Sequence, residues 1–307
     1  MEEFVTLRGE SIPRVGFGTY QTGGYECAEA TKAVLEAGYP QIDTAMAYEN
    51  EAVIGRVIEG SDVHREDIFL TTKVKGYPEY LDYDGFIGAA EGCLERLGTD
   101  YVDLLLVHWW TPNGDMEAVC AAMDSLVDEG LARNVGVSNF SLGQLDEARQ
   151  LTDAPILTNQ VEYHPYFYEN QQELLEYCQQ NDVLLTAYSP LAGGMVVSNE
   201  ILADIGRPYG KTAAQVAVRW LIQQDNVITI PKSVTPSYIQ QNIDVFDFEL
   251  TATEMQRIAA ARGPRLYELT KEGGPVQRFR ASVGPYVPDP VRKGITGAGG
   301  VAMGLLR

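Results

Sequence analysis

The feature that most constrains this 307-residue chain is an alternation of short, uninterrupted apolar runs with amphipathic stretches of helical period. The runs cover residues 13–18, 41–43, 68–74, 101–107, 134–137, 156–161, 183–187 and 227–230, and most are β-branched or leucine-rich. Such runs suit strands buried on both faces, as in a parallel sheet. Helical patterns lie between them at 26–37, 50–58, 83–97, 116–129, 142–151, 170–181 and 212–224. Eight strands alternating with helices have the cadence of a (β/α)8 TIM barrel. The competitor is a doubly wound open sheet, which normally carries a glycine-rich phosphate loop after its first strand. Gly16-Phe17-Gly18-Thr19-Tyr20-Gln21 offers only GxG, with no third glycine. The barrel is therefore the expected α/β fold, over residues 1–262, with an N-terminal β-hairpin at 5–13 capping its floor. Residues 263–307 turn rich in Gly and Pro and read as an irregular C-terminal tail.

Charge narrows the partners. A net charge of −20 and a pI near 4.5 argue against nucleic acid or an anionic membrane surface. Only 7 of the 23 basic residues are lysines, and a carboxylate-dense, lysine-poor surface points to a salt-adapted, halophilic setting where screening removes self-repulsion. No run reaches the length of a membrane span, and Met-Glu-Glu-Phe lacks the basic and apolar regions of a signal peptide, so a cytoplasmic location is expected. The four cysteines (Cys27, Cys93, Cys120, Cys178) are far apart within helical patterns and read as buried thiols. No His/Cys spacing fits a metal cage, so no metal is expected. A closed barrel has no free sheet edge, so a monomer or weak oligomer is expected.

The informative polar residues are those that end the apolar runs. Asp43, Lys73, His108, Ser138 with Asn139, Gln160, Tyr188 with Ser189, and Lys232 with Ser233 all stand there. In a barrel these are C-terminal strand ends facing one mouth, where barrel enzymes place their chemistry. A single polar residue after a strand is ordinarily a cap or a solvated loop group, but seven such ends together are not readily dismissed. Tyr48, five residues past Asp43, shares the same loop. A phenol is a weak proton donor at neutral pH, and a buried lysine ammonium favours its ionised form, with Asp43 holding that lysine charged. His108 can donate a hydrogen bond that polarises a carbonyl oxygen. The four groups suit a carbonyl carbon that receives hydride while its oxygen receives a proton, and a nicotinamide is the implied hydride source. Taken singly, Asp43–Lys73 could be a structural ion pair, Tyr48 a rim residue among 17 tyrosines and His108 a core histidine; His64 and His164 read as structural.

Three segments add specificity. They are Gly38-Tyr39-Pro40-Gln41-Ile42-Asp43-Thr44-Ala45 through Tyr48, Glu51 and Gly55; Arg133-Asn134-Val135-Gly136-Val137-Ser138-Asn139-Phe140; and Ile230-Pro231-Lys232-Ser233-Val234-Thr235-Pro236 through Asn242. With Thr72-Lys73 and Val107-His108-Trp109, they make residues 4–262 resemble the aldo-keto reductase family, and within it the 2,5-diketogluconate reductase-like small-molecule enzymes. The resemblance implies NAD(P)H-dependent reduction of aldehydes or ketones, with Tyr48 as general acid and Asp43, Lys73 and His108 beside it. It implies Ser138, Asn139 and Gln160 at the nicotinamide carboxamide and Tyr188 stacked on the ring. Gly18 and Thr19 match a strand-end cofactor contact, Ser189 and Leu191 the pyrophosphate loop, and Lys232, Ser233 and Asn242 the adenosine end. Tyr20 and Trp109 match walls of the substrate pocket.

Departures from the pattern also carry information. Pro40-Gln41 replaces the usual Arg-His ahead of Ile-Asp, a change expected to affect the start of the strand and not the chemistry. Tyr238 stands where arginine usually grips the 2′-phosphate, and Gln241 where glutamate is common. NADPH is expected narrowly ahead of NADH. The family also contains non-catalytic regulatory or structural members; a retained lysine beside a phenol disfavours that alternative. A metal-dependent barrel hydrolase would need more His and Asp at strand ends than His108 and Asp43. Tail residues Tyr267, Phe279 and Tyr286 are candidates for lining a pocket or packing the tail down.

Overall fold

The computed structural model describes residues 2–263, so Tyr267, Phe279, Tyr286 and the expected tail lie outside the described residues. The chain opens with an antiparallel hairpin, β1 (Phe4–Leu7) and β2 (Glu10–Pro13). Arg8 and Gly9 both turn with positive φ, 52° and 88°, the two-residue connection whose twist matches its strands.

Eight strands follow in one parallel sheet whose spatial order is its sequence order. They are β3 (Phe17–Gly18), β4 (Gln41–Asp43), β5 (Phe69–Val74), β6 (Leu104–Val107), β7 (Val135–Ser138), β8 (Ile156–Glu162), β9 (Leu184–Tyr188) and β10 (Val227–Thr229). The two edges meet: Val15 bridges Thr229, Thr229 N donates to Arg14 O at 2.9 Å and Gly16 N donates to Thr229 O at 2.8 Å. The sheet thus curls until its last strand bonds the residues that lead into its first, as the alternation of runs and helices implies. Gly18 is required at that seam, because a Cβ there would lie 2.7 Å from the Ile230 carbonyl oxygen. The expected strand at 13–18 divides at this point. Pro13 finishes the hairpin and only Phe17–Gly18 enters the sheet.

The hairpin covers the floor as expected. Val5, Leu7 and Ile12 pack in one buried cluster with Leu104, Leu157, Leu184 and Ile228, and Phe69 lies against it. These are mostly residues from the beginnings of their strands, so the floor is sealed by hydrocarbon and the opposite end is left for polar groups.

The helices in chain order are α1 (Gly24–Glu36), α2 (Glu51–Glu59), α3 (Tyr83–Leu97), α4 (Met116–Asp128), α5 (Leu142–Leu151), α6 (Tyr168–Gln180), α7 (Glu200–Gly206), α8 (Ala213–Ile222), α9 (Pro236–Ile243) and α10 (Ala252–Ala259). Seven match the periodic stretches of the sequence; α7, α9 and α10 do not, being short, and α10 buries only Ile258. The four cysteines are free and buried, in α1, α3, α4 and α6. Among the described residues, no helix is long and apolar enough to cross a membrane.

Candidate active site

Strand register brings the polar strand ends together. Asp43 closes β4 and pairs with Thr71 of β5, two residues before Lys73. His108 extends β6, its backbone N–H donating to Val74 O at 2.9 Å. Asp43 and Lys73 are both buried, at 1% and 0% exposure. Lys73 Nζ donates to Asp43 Oδ1 at 2.5 Å and to the Thr44 carbonyl at 2.9 Å, while Gln160 Nε2 donates to Asp43 Oδ2 at 2.7 Å. Each carboxylate oxygen therefore has a donor, which a buried charge needs. Burial pushes the Asp43 carboxyl up, opposed by Lys73 and Gln160. For Lys73, burial favours the neutral amine, but Asp43 and Tyr48 together outweigh it and raise the ammonium above its ordinary range.

Tyr48 ends a single 3-10 turn (Met46–Tyr48), and Glu49 after it is left-handed at φ 56°. Its half-buried ring lies 5.0 Å from Lys73 Nζ, and its hydroxyl is 3.5 Å from that nitrogen, a long hydrogen bond. The phenol's acidity differs from the sequence expectation. Burial raises Tyr48 above the ordinary phenol range, and Lys73 only partly offsets this. Tyr48 is thus held protonated at neutral pH.

The His108 ring meets the Tyr48 ring edge to face, with centroids 5.6 Å apart. Burial and the nearby Lys73 and Lys75 ammonium groups depress its imidazole to about 3, so it is neutral at physiological pH. Among the described residues its Nδ1 is buried without a hydrogen-bond partner, and a neutral imidazole still carries one N–H to donate.

A second polar cluster continues around the ring on the next three strand ends. Ser138 pairs in register with Gln160 and donates from Oγ to the Gln160 carbonyl at 2.9 Å. Asn139, left-handed at φ 59°, donates to the His108 carbonyl at 3.0 Å and to Ser138 Oγ at 3.1 Å. Tyr188 donates from its hydroxyl to Asn139 Oδ1 at 2.9 Å, which fixes its half-exposed ring at the mouth. After it, Ser189, Ala192, Gly193 and Gly194 have φ of 51°, 49°, 64° and 92°, and Ala192 N donates to Ser189 O at 2.8 Å and Gly194 N to Leu191 O at 2.9 Å, so the chain turns tightly through Leu191.

Other expected residues have structural duties. Thr19 donates from backbone N and from Oγ1 to the Asp43 carbonyl, at 3.0 and 2.9 Å. Gly18 serves the sheet seam. Ser233 Oγ accepts from Thr235 N at 3.1 Å, shaping the turn into α9, where Asn242 is buried and Tyr238 is 57% exposed. Lys232 follows β10 in the same segment. Gln41, at the altered start of β4, packs its side chain where a Cβ on Gly16 would sit. The Pro40 carbonyl accepts from Phe69 N at 2.7 Å, so a proline here keeps the first bond between β4 and β5.

Aromatic rings form the rim. Tyr20, 58% exposed, lies 5.2 Å from the Tyr48 centroid; Trp109 lies 4.6 Å from His108 and 5.6 Å from Tyr77. Sequence reasoning missed Tyr77 on this rim and Asn50 behind it, and took Thr44 only as part of a matching segment. Glu51 and Thr72 were recognised only as part of the pattern. Glu51 is fully buried, and its two oxygens accept from Thr72 Oγ1 and Arg96 Nε, both at 2.6 Å. A buried polar side chain needing partners is the signal that links these residues, and it is visible only once the loops are placed.

The chain is similar to known proteins over most of its length. The model of the aldo/keto reductase family matches residues 14–262. An aldo-keto reductase of Mycolicibacterium smegmatis is 42% identical over 269 residues, covering 87% of this chain and 96% of that one. The glyoxal reductase of Bacillus subtilis is 40% identical over 254 residues, covering 82% and 90%. A crystal structure described as a putative 2,5-diketo-D-gluconic acid reductase B superposes with a TM-score of 0.82 at 40% identity, covering 86% of this chain and 93% of that one.

Proposed function

The chain belongs to the aldo/keto reductase family, and from that premise we propose that it reduces small aldehydes or ketones to alcohols with a nicotinamide cofactor, Tyr48 acting as general acid. The observation that carries this reading is the buried Asp43–Lys73 pair, whose ammonium reaches the Tyr48 hydroxyl at 3.5 Å beside a neutral His108. A phenol kept protonated by burial has a proton to give, and a fixed cation next to it stabilises the phenolate left behind. The 3.5 Å separation is long for that work, and such contacts commonly shorten when substrate is bound. Neutral His108 donates its N–H toward the carbonyl oxygen and orients it. Asp43, held by Gln160 on its other oxygen, keeps Lys73 charged throughout.

The residues present fit a nicotinamide nucleotide. Ser138, Asn139 and Gln160 gather amide and hydroxyl groups beside the Tyr188 ring, a polar edge next to an aromatic plane. They would hold the carboxamide and ring, with Gly18 and Thr19 alongside, Ser189 and Leu191 at the pyrophosphate, and Lys232, Ser233 and Asn242 at the adenosine end. When bound, the reduced cofactor supplies hydride to the carbonyl carbon. Tyr238, exposed in the first turn of α9, brings no positive charge to a 2′-phosphate, so NADPH should lead NADH only narrowly. Tyr20 and Trp109 would wall the substrate, and Tyr77 with them. The barrel of residues 1–262 would be the catalytic domain, in a cytoplasmic monomer or weak oligomer.

A panel of simple aldehydes, α-keto esters and sugars, followed by the loss of reduced-cofactor absorbance with NADPH and with NADH, tests the proposal. It expects turnover of at least one carbonyl class and a slightly higher kcat/KM with NADPH. No turnover of any of them with either cofactor would overturn it, and a large preference for NADH would overturn the cofactor assignment.

A further inference from the structure

Asn50 stands immediately before α2, in the position where an asparagine ordinarily caps a helix by accepting from its first N–H groups. Here it makes no such side-chain bond. Its side chain is instead completely buried and fully used elsewhere. Oδ1 accepts from Thr44 Oγ1 at 2.6 Å, and Nδ2 donates to the carbonyls of Thr19 at 3.0 Å and Thr22 at 3.1 Å, with Thr22 Oγ1 at 3.3 Å. A helix cap has been given up for a knot between two loops.

The knot surrounds the proton donor. Thr44 and Asn50 are the two ends of the loop that carries Tyr48, and their side chains bond each other across it. Inside, Tyr48 N donates to Ala45 O at 2.9 Å and Glu49 is left-handed, so the turn is tight and depends on its ends being held. The same Thr44 offers its carbonyl to Lys73 Nζ at 2.9 Å. Thr19, tied to Asn50, also binds the Asp43 carbonyl through its hydroxyl. Asn50 thus fixes the phenol's loop, one acceptor of the ammonium and the backbone of the carboxylate from a single point.

We propose that Asn50 is a positioning residue, which sets the separation between the Tyr48 hydroxyl and the Lys73 ammonium by closing the loop from Thr44 to Asn50. The inference rests on Tyr48 and Lys73 working as the donor pair. Catalytic geometry of this kind is sensitive: displacement by about 1 Å costs on the order of a hundredfold in rate.

The test compares Asn50→Ala and the milder Thr44→Val, which keeps the side-chain shape and removes only the hydroxyl, with the wild type. Tyr48 is observed directly in protein labelled with carbon-13 at tyrosine Cζ, its resonance assigned by its loss in Tyr48→Phe. The kcat, KM and pH profile of carbonyl reduction are measured on the same proteins, and folding is checked by thermal unfolding. The expected result is a moved Tyr48 resonance in both variants, titrating at higher pH as Lys73 draws away. With it, kcat should fall about 10- to 100-fold while KM changes little. Folded variants with an unmoved Tyr48 resonance and unchanged kcat would overturn the proposal. So would losses in both variants that simply follow loss of fold, since Asn50 would then be a structural pin. The resonance reads position without turnover, so a wild type that reduces no carbonyl would defeat the functional reading and leave this comparison intact.

Discussion

At the scale of single residues, the site is a set of charges and protons arranged by burial. Asp43 and Lys73 neutralise each other in the interior, Tyr48 keeps its proton and His108 stays uncharged. The His108 shift has a consequence for stability. Its imidazole falls from an ordinary value of 6.5 to about 3 on folding, so between those pH values the unfolded chain binds a proton that the folded chain refuses. The stability from a neutral His108 is therefore complete above pH 6.5 and is lost as pH falls toward 3. The slope from this group approaches about 1.4 kcal/mol per pH unit. Urea unfolding of the protein and of His108→Gln across that range should show the variant's stability falling less steeply by one proton. Parallel slopes would contradict a buried neutral imidazole. Asp43, Lys73 and His108 stand out in the sequence because each ends an apolar run, and Tyr48 because it shares the Asp43 loop. The acidity of Tyr48 was not, because a charge partner can be read from spacing whereas the depth of burial that outweighs it cannot.

At the scale of elements, legibility followed burial. The parallel strands are covered on both faces and write themselves as unbroken apolar runs, so β4 and the helices α3 and α5 have the limits that their patterns predict. α9 and α10 escaped, although Pro236 and the Thr251–Glu254 capping box mark their starts, because short helices with few buried positions leave little periodicity to detect. Asn50 escaped for a different reason: an asparagine before a helix reads as a cap, and its diversion to Thr44, Thr19 and Thr22 depends on loops distant in sequence. Gly55 shows how closely α2 must approach α3. A Cβ there would lie 2.1 Å from the Leu97 carbonyl oxygen, a backbone atom that cannot swing aside. Gly55→Ala should therefore force the helices apart at a cost of about 1–3 kcal/mol, read as a fall in Tm. An unchanged Tm would show that the contact yields freely. Because α2 begins at the buried Glu51 beside Asn50, kcat should fall as well.

At the scale of the whole molecule, the barrel separates two tasks. The floor is closed by the hairpin's Val5, Leu7 and Ile12, and the polar strand ends converge at the opposite mouth, where Tyr20 and Trp109 stand beside Tyr48 and His108. The net charge of −20 bears on neither task; it bears on the medium. If the surface is suited to high salt, Tm should climb with KCl as screening relieves the mutual repulsion of carboxylates, and a flat response would contradict that reading. The central claim concerns the mouth alone, and Tyr48→Phe tests it most directly, since the substitution keeps the ring and removes the proton. In that variant kcat for carbonyl reduction should drop by about 10²- to 10⁴-fold or more, with cofactor Kd within about twofold of the wild type. Turnover equal to that of the wild type would show that the proton comes from somewhere else.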